Sequence, residues 1–353
     1  MTSPRPQPES HATDTQRSAP ENDAEPILSV RDLKTYYPIT SGILNRHVGD
    51  VKAVDGVSFD LYPGETLAIV GESGCGKSTL AETLLRLHEP TDGSVHYRGT
   101  DLAALGTTEL REIRKELQMI FQDPSASLND RMTVGRIIRE PFAIHDELEN
   151  VDERVAELMR VVGLEPEDHY DRFPHELSGG QCQRVGIARA LALNPSVVIA
   201  DEPVSALDVS IQAQILTLLS ELQAEYDLTF VFVSHDMSVV RHVADRVAVM
   251  YLGRIVELTD VETLFSDPQH PYTQALLSSV PEVGTGESAD RITLPGTPPD
   301  PADPPTGCNF HPRCHLAETL SEDDRRRCEE DDPGLIESDG RAIACHFRPE
   351  YST

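Results

Sequence analysis

Three short apolar runs punctuate the chain: "ETLAIV" at 65–70, "SVVIADE" around Val197 to Glu202, and "TFVFVSH" around Phe230 to His235. Each has the length and continuity of a strand buried on both faces. Between the last two, "DVSIQAQILTLLSELQAEY" places Ile211, Ile215, Leu218, Leu219 and Leu222 on one helical face. Strand, helix, strand predicts an α/β core with a covered, mostly parallel sheet. Upstream, "PILSVRDLKTYYPI" alternates apolar and polar residues like an edge strand. "KAVDGVSFDLYPGE" reads as a second strand that ends in a turn at Pro63 and Gly64. From about Arg111 to His175 the pattern is helical and charged with no comparable buried strand, which predicts a helical subdomain over about 111–177 inserted into the core.

The chain ends read differently. Residues 1–25 are polar and Pro-rich, which predicts a disordered leader. Residues 281–306, "PEVGTGESADRITLPGTPPDPADPPT", have the composition of a linker. No run of eighteen apolar residues occurs, so the expectation is a soluble cytoplasmic chain. At 353 residues and 39% hydrophobic, the chain can bury a large core. Its 60 acidic residues against 30 basic give a net charge of -30, which argues against non-specific nucleic-acid binding. The only lysines are Lys34, Lys52, Lys77 and Lys115. So acidic and lysine-poor a composition suggests adaptation to a salt-rich cytoplasm, where screening over about 3 Å at molar salt tolerates dense carboxylates.

The stretch "GESGCGKST", Gly71 to Thr79, follows the first buried run and satisfies G-x-x-x-x-G-K-[ST] in a strand–loop–helix setting. A triphosphate needs converging N–H donors, and Gly71, Gly74 and Gly76 let the backbone curl past Ser73 to supply them. The helix start adds its positive end, Lys77 reaches the outer phosphates, and Ser78, followed by Thr79, offers a hydroxyl to Mg²⁺. Asp201, closing "VVIAD", is the expected second Mg²⁺ ligand. Glu202, next to it, is the expected general base that polarises water.

The stretch "LSGGQCQRVGIARALALNPSVVIADEP", Leu177 to Pro203, narrows the class. Ser178 is a good N-cap, and Gly179 and Gly180 open a second helix start to a phosphate, with Gln181 following. With LSGGQ in place, the chain resembles ABC-type ATPase subunits over roughly Leu28 to Arg254. The resemblance implies a head-to-tail dimer with two ATPs at its interface. It further implies a Mg²⁺- and water-sensing Gln122 in "IFQDP", which faces the membrane partner, and a D-loop at "SALD" ending in Asp208. His235 is then the switch histidine on the γ-phosphate, and Tyr37 stacks on adenine, with Tyr36 an open alternative.

Beyond the core, His270, Pro271, Tyr272 and Thr273 resemble the oligopeptide and dipeptide importer ATPases. So do the segment "FQDPSASLNDRMTVGRIIREP", the insert between Tyr37 and Lys52, and the cysteine-bearing tail. The expected organisation is a leader (1–25), an ABC ATPase domain (26–260) and a C-terminal extension (261–353). The resemblance implies an ATP-hydrolysing subunit for import of peptides or nickel complexes. Its partners would be a second ATPase subunit, two membrane permeases and, indirectly, an external binding protein, which places it at the cytoplasmic membrane face. A soluble ABC-type ATPase of DNA repair or translation is the alternative; it would bring a coiled coil, a second core or basic surfaces. Cys308, Cys314, Cys328 and Cys345 lie in a tail with little apolar content. Four thiolates could hold a metal centre there; zinc, or free or disulfide-bonded cysteines, remain open. The resemblance implies a [4Fe-4S] cluster. Cys75 and Cys182 fill small positions within the phosphate motifs.

Overall fold

The computed structural model describes residues 25–42, 46–280, 291–338 and 340–347; residues 1–24 of the expected leader and the segment 281–290 lie outside them. An antiparallel sheet opens the chain. Its strands are β1 (Leu28–Ser41), β2 (Arg46–Leu61), β4 (Asp92–Tyr97) and β5 (Thr100–Asp101), in the order β2-β1-β4-β5. β1 is therefore flanked on both sides and is not an edge strand. Its alternation arises because one face of this sheet covers the core while the other meets solvent.

The second sheet has eight strands. The three apolar runs form β3 (Thr66–Val70), β7 (Val197–Asp201) and β8 (Thr229–Ser234), all fully buried. β6 (Leu117–Ile120), β7, β8, β3 and β9 (Arg246–Tyr251) are adjacent and parallel. Successive side chains serve opposite faces: Leu67 and Ile69 join the core under the antiparallel sheet, while Ala68 and Val70 pack against the C-terminal part of the chain. β10 (Arg254–Asp260) continues the sheet antiparallel to β9.

Helices cover these strands. α1 (Lys77–Leu84) follows β3, and α2 (Thr107–Glu116) runs directly into β6. β6 corrects the expectation of an interval without buried strand: the four residues "LQMI" are too short, and interrupted by Gln118, to register as an apolar run. The helical subdomain contains α3 (Val134–Ile144), α4 (Val151–Val161) and α5 (Pro166–His169). It leads to α6 (Gly179–Leu191), against which α3 and α4 pack. α7 (Val209–Tyr226) buries Ile215, Leu218, Leu219 and Leu222 as its pattern requires. α8 (Met237–Val243) precedes β9.

The C-terminal extension is built into the core. After α9 (Val261–Ser266) and α10 (Pro271–Ser278) comes α11 (Glu322–Glu330), then a hairpin of β11 (Ile336–Ser338) and β12 (Arg341–Ile343). β12 pairs antiparallel with β10, so the hairpin lengthens the ATPase sheet itself. The described part of the expected linker is likewise anchored, for Lys52 N donates to Pro301 O at 3.1 Å. Among the described residues, no helix is long and apolar enough to cross a membrane.

Candidate nucleotide site

The loop between β3 and α1 is pressed against its neighbours. Gly76, the N-cap of α1, has φ 104°, and a Cβ there would fall 1.9 Å from Ala53 O; one at Gly71 would fall 2.2 Å from Met250 O. Only glycine fits at either position, which lets the loop lie flush against these two strands. Ser73, Gly74, Gly76, Lys77, Ser78 and Thr79 line a cavity of about 210 Å³, with Gln122 and Glu202 on its rim.

Two groups there are poorly compensated as they stand. Lys77 is 5% exposed, yet its Nζ donates only to carbonyls, Gly71 O at 2.9 Å and Glu72 O at 3.0 Å. A buried ammonium with no carboxylate in salt-bridge reach among the described residues suits a phosphate. Asp201 is buried as well, and burial pushes its carboxyl up; its hydrogen-bond partner is Ser78, whose Oγ donates at 3.2 Å. A hydroxyl and a carboxylate this close, with the acid short of positive charge, fit Mg²⁺.

Glu202 faces elsewhere. Gln122 Nε2 donates to its Oε2 at 3.0 Å, and His235 Nδ1 stands 3.2 Å from Oε1. The structure thus brings together Gln122, Asp201, Glu202, His235 and the phosphate loop. It does not bring the LSGGQ segment there. Ser178 caps α6 with its hydroxyl on Gln181 N at 3.4 Å, and the Gln181 side chain accepts from Ser178 N, a reciprocal cap. Ser178 and Gly179 are exposed, Gly180 and Gln181 half-buried, and none lines the cavity. Asp208, at the N-cap position of α7 without a side-chain capping bond, is exposed beside Val209, which is 81% exposed.

Neither tyrosine of the expected adenine platform lines the cavity. The Tyr36 hydroxyl is tied to Asp55, and the Tyr37 ring meets His88 edge-on at 5.6 Å. Sequence reasoning missed Ala53, Gly253 and Pro301 in the cavity wall. Of these Gly253, with φ 80° in the β9–β10 turn, carried a local signal; Pro301 carried none, since its place depends on a distant segment folding back.

The four expected cluster ligands are half-buried cysteines of the C-terminal extension. Burial, then the charge of the other tail thiols, pushes Cys308 up to about 12 and Cys328 up to about 11. Cys308 and Cys314 pack against the apolar cluster of Tyr251, Tyr272 and Phe310. Among the described residues no group of three His, Cys, Asp or Glu side chains is arranged to hold a metal ion. As placed, Cys308 and Cys314 serve as small apolar side chains of that apolar cluster, and nothing among the described residues supports the expected [4Fe-4S] centre at Cys308, Cys314, Cys328 and Cys345.

The His-Pro-Tyr-Thr segment has a clear role. His270 caps α10, its Nδ1 accepting from Tyr272 N at 3.1 Å, and Pro271 occupies the first turn. Glu257 of β10, fully buried, accepts from Gln269 N and His270 N at 3.0 and 2.9 Å.

Comparisons with known proteins agree with this geometry. The family described as ABC transporter matches residues 54–205, and that described as oligopeptide/dipeptide transporter, C-terminal region, matches 256–319. The oligopeptide transport ATP-binding protein AppF of Bacillus subtilis is 55% identical, over 92% of this chain and 98% of its own. The dipeptide transport ATP-binding protein DppF of Haemophilus influenzae is 49% identical, over 91% of this chain and 96% of its own. A dimeric post-hydrolysis structure of the ATP-binding cassette MJ0796 with ADP and Pi is 29% identical with a TM-score of 0.59, covering 66% of this chain and 98% of that one. With these matches, the chain belongs to the family of ATP-binding subunits of ABC-type peptide transporters.

Proposed function

We propose that this chain hydrolyses ATP to drive import of peptides through a membrane ABC transporter. The observation that carries the reading is the meeting of Gln122, Glu202 and His235 at the rim of the phosphate cavity. Lys77 and the loop N–H groups bind and orient the triphosphate. Ser78 and Asp201 hold Mg²⁺, which when bound neutralises charge on the outer phosphates. Glu202, fixed on both oxygens, takes a proton from the attacking water, while His235 faces the γ-phosphate. The LSGGQ helix start is exposed and away from its own chain's cavity, which supports a second ATPase subunit closing over each nucleotide.

Peptide as the cargo rests on the relatives' names and on the matching C-terminal region. Docking on two permeases is supported by a cleft of about 520 Å³ lined by Leu87, Phe121 and Ile144, all exposed apolar side chains, a short step along the chain from Gln122. This would hold the subunit at the inner membrane face. The test is uptake of a labelled oligopeptide by proteoliposomes carrying the chain with its partner ATPase, permeases and binding protein. ATP-dependent uptake lost in K77A supports the reading; peptide uptake unaffected by K77A sinks it.

A further inference from the structure

Glu72, the second residue of the phosphate loop, is gripped from outside the ATPase core. Its backbone N–H donates to Tyr272 Oη at 2.8 Å. Arg313 makes a two-pronged pair with its carboxylate, Nη1 to Oε2 at 2.7 Å and Nη2 to Oε1 at 3.1 Å. Arg313 is itself buried, with a side chain 7% exposed. Its Nε donates to Pro295 O at 3.3 Å, and its guanidinium lies 5.9 Å from the Tyr251 ring centre. Tyr251, Tyr272 and Phe310 pack with centroids 4.7 to 5.4 Å apart and fix both gripping residues.

We propose that Arg313 and Tyr272 are positioning residues of the nucleotide site, holding Glu72 so that the C-terminal extension sets the affinity for ATP. This rests on the nucleotide reading above. The Gly71 carbonyl, which shares a peptide unit with the Glu72 N–H that Tyr272 holds, accepts from Lys77 Nζ at 2.9 Å, and the Glu72 carbonyl accepts from it at 3.0 Å, so the residue that Tyr272 and Arg313 fix also aims the phosphate-binding ammonium. The charge matters as much as the shape. Glu72 places a carboxylate on a loop that must receive a polyanion, and Arg313 cancels it through a bidentate, partly buried pair. Without Arg313 the carboxylate would repel the incoming phosphates, and the loop would lose its outer support.

The test compares the full-length chain and its R313A, R313K, Y272F, E72Q and R313A/E72Q variants. Equilibrium binding of a fluorescent Mg²⁺–ATP analogue gives Kd, and the reconstituted transporter gives KM and kcat. R313A should raise Kd and KM about tenfold with kcat within about twofold. That is the scale of one unit charge over roughly 10 Å at an effective dielectric constant of about 20. Lysine at 313 should recover part of the affinity, and R313A/E72Q should return to within about threefold of wild type, since the repelling charge is then gone. Y272F should weaken binding severalfold by leaving the Glu72 N–H unsatisfied. The R313A penalty should shrink at high salt. Wild-type affinity in both R313A and Y272F, or a penalty that E72Q and salt leave unchanged, overturns the proposal. A wild-type chain that binds no ATP would instead defeat the nucleotide reading itself.

Discussion

Gln122 and Glu202 are joined by a hydrogen bond of 3.0 Å across the rim of the phosphate cavity, and His235 approaches the other carboxylate oxygen at 3.2 Å. An acid held on both oxygens has a fixed direction, which a proton acceptor for an in-line water requires. Glu202→Gln keeps the shape and the partners but removes the basic oxygen. ATP turnover should fall at least about a hundredfold, the usual contribution of a general base, with nucleotide affinity retained. Gel filtration with Mg²⁺–ATP should then show a stable ATPase dimer. Turnover near wild type would remove Glu202 from that role.

The apolar cleft near Gln122 invites a separate experiment. Ile144 and Leu87 are 52% and 47% exposed, and no described residue covers them. A charge at Ile144 would have to be desolvated by any apolar helix docking there, at a cost of several kcal/mol or more, as for an unpaired buried carboxylate. Ile144→Glu should release the subunit from permease-containing membranes while the purified chain keeps its melting temperature. Membrane retention equal to wild type would place the permease contact elsewhere.

Much of this was legible in the residues. Glycines at Gly71 and Gly76 are demanded by local clashes, and the runs that became β3, β7 and β8 are long and apolar enough to declare themselves. β6 was not legible, because four residues with a polar member carry too little period. Nor was the fate of the extension. The pairing of Glu257 with Ile343 and of Arg313 with Glu72 joins residues far apart in sequence, and no local preference encodes such contacts. The four cysteines are a related case: their spacing suggests a ligand set, while the packing of Cys308 and Cys314 beside Phe310 depends on a distant part of the fold.

Those thiols make a chemical prediction of their own. Burial and mutual repulsion hold Cys308 near 12 and Cys328 near 11, so in the metal-free chain both stay protonated at neutral pH. Only the thiolate reacts with iodoacetamide. Labelling of each, followed by mass spectrometry, should rise about tenfold per pH unit from pH 7 to 9 and remain far slower than for an ordinary cysteine of pKa about 8.5. Rapid labelling at pH 7 would contradict this placement of the sulfurs. Iron by elemental analysis together with complete protection at pH 9 would show that the native tail is rearranged around a metal.

His270 supplies the pH dependence. It is fully buried, and desolvation lowers its pKa to about 3, so the ring is neutral in the folded chain, with Nδ1 accepting from Tyr272 N. The folded pKa lies below the unfolded value of 6.5. Its stabilising contribution is therefore complete above about pH 6.5 and is lost progressively as pH falls toward 3, because the unfolded chain takes up the proton first. At pH 5 the loss is about 2 kcal/mol for this one group. His270→Asn keeps a side chain able to cap α10 but cannot titrate. Thermal melts of the two proteins from pH 8 to 5 should therefore converge, the wild type losing its advantage over H270N as the buffer is acidified. Because α10 also carries Tyr272, the same acidification should weaken nucleotide binding in the wild type before the whole chain unfolds. Parallel melting curves at every pH would mean that His270 is not buried neutral and that α10 is not the acid-sensitive joint of the fold.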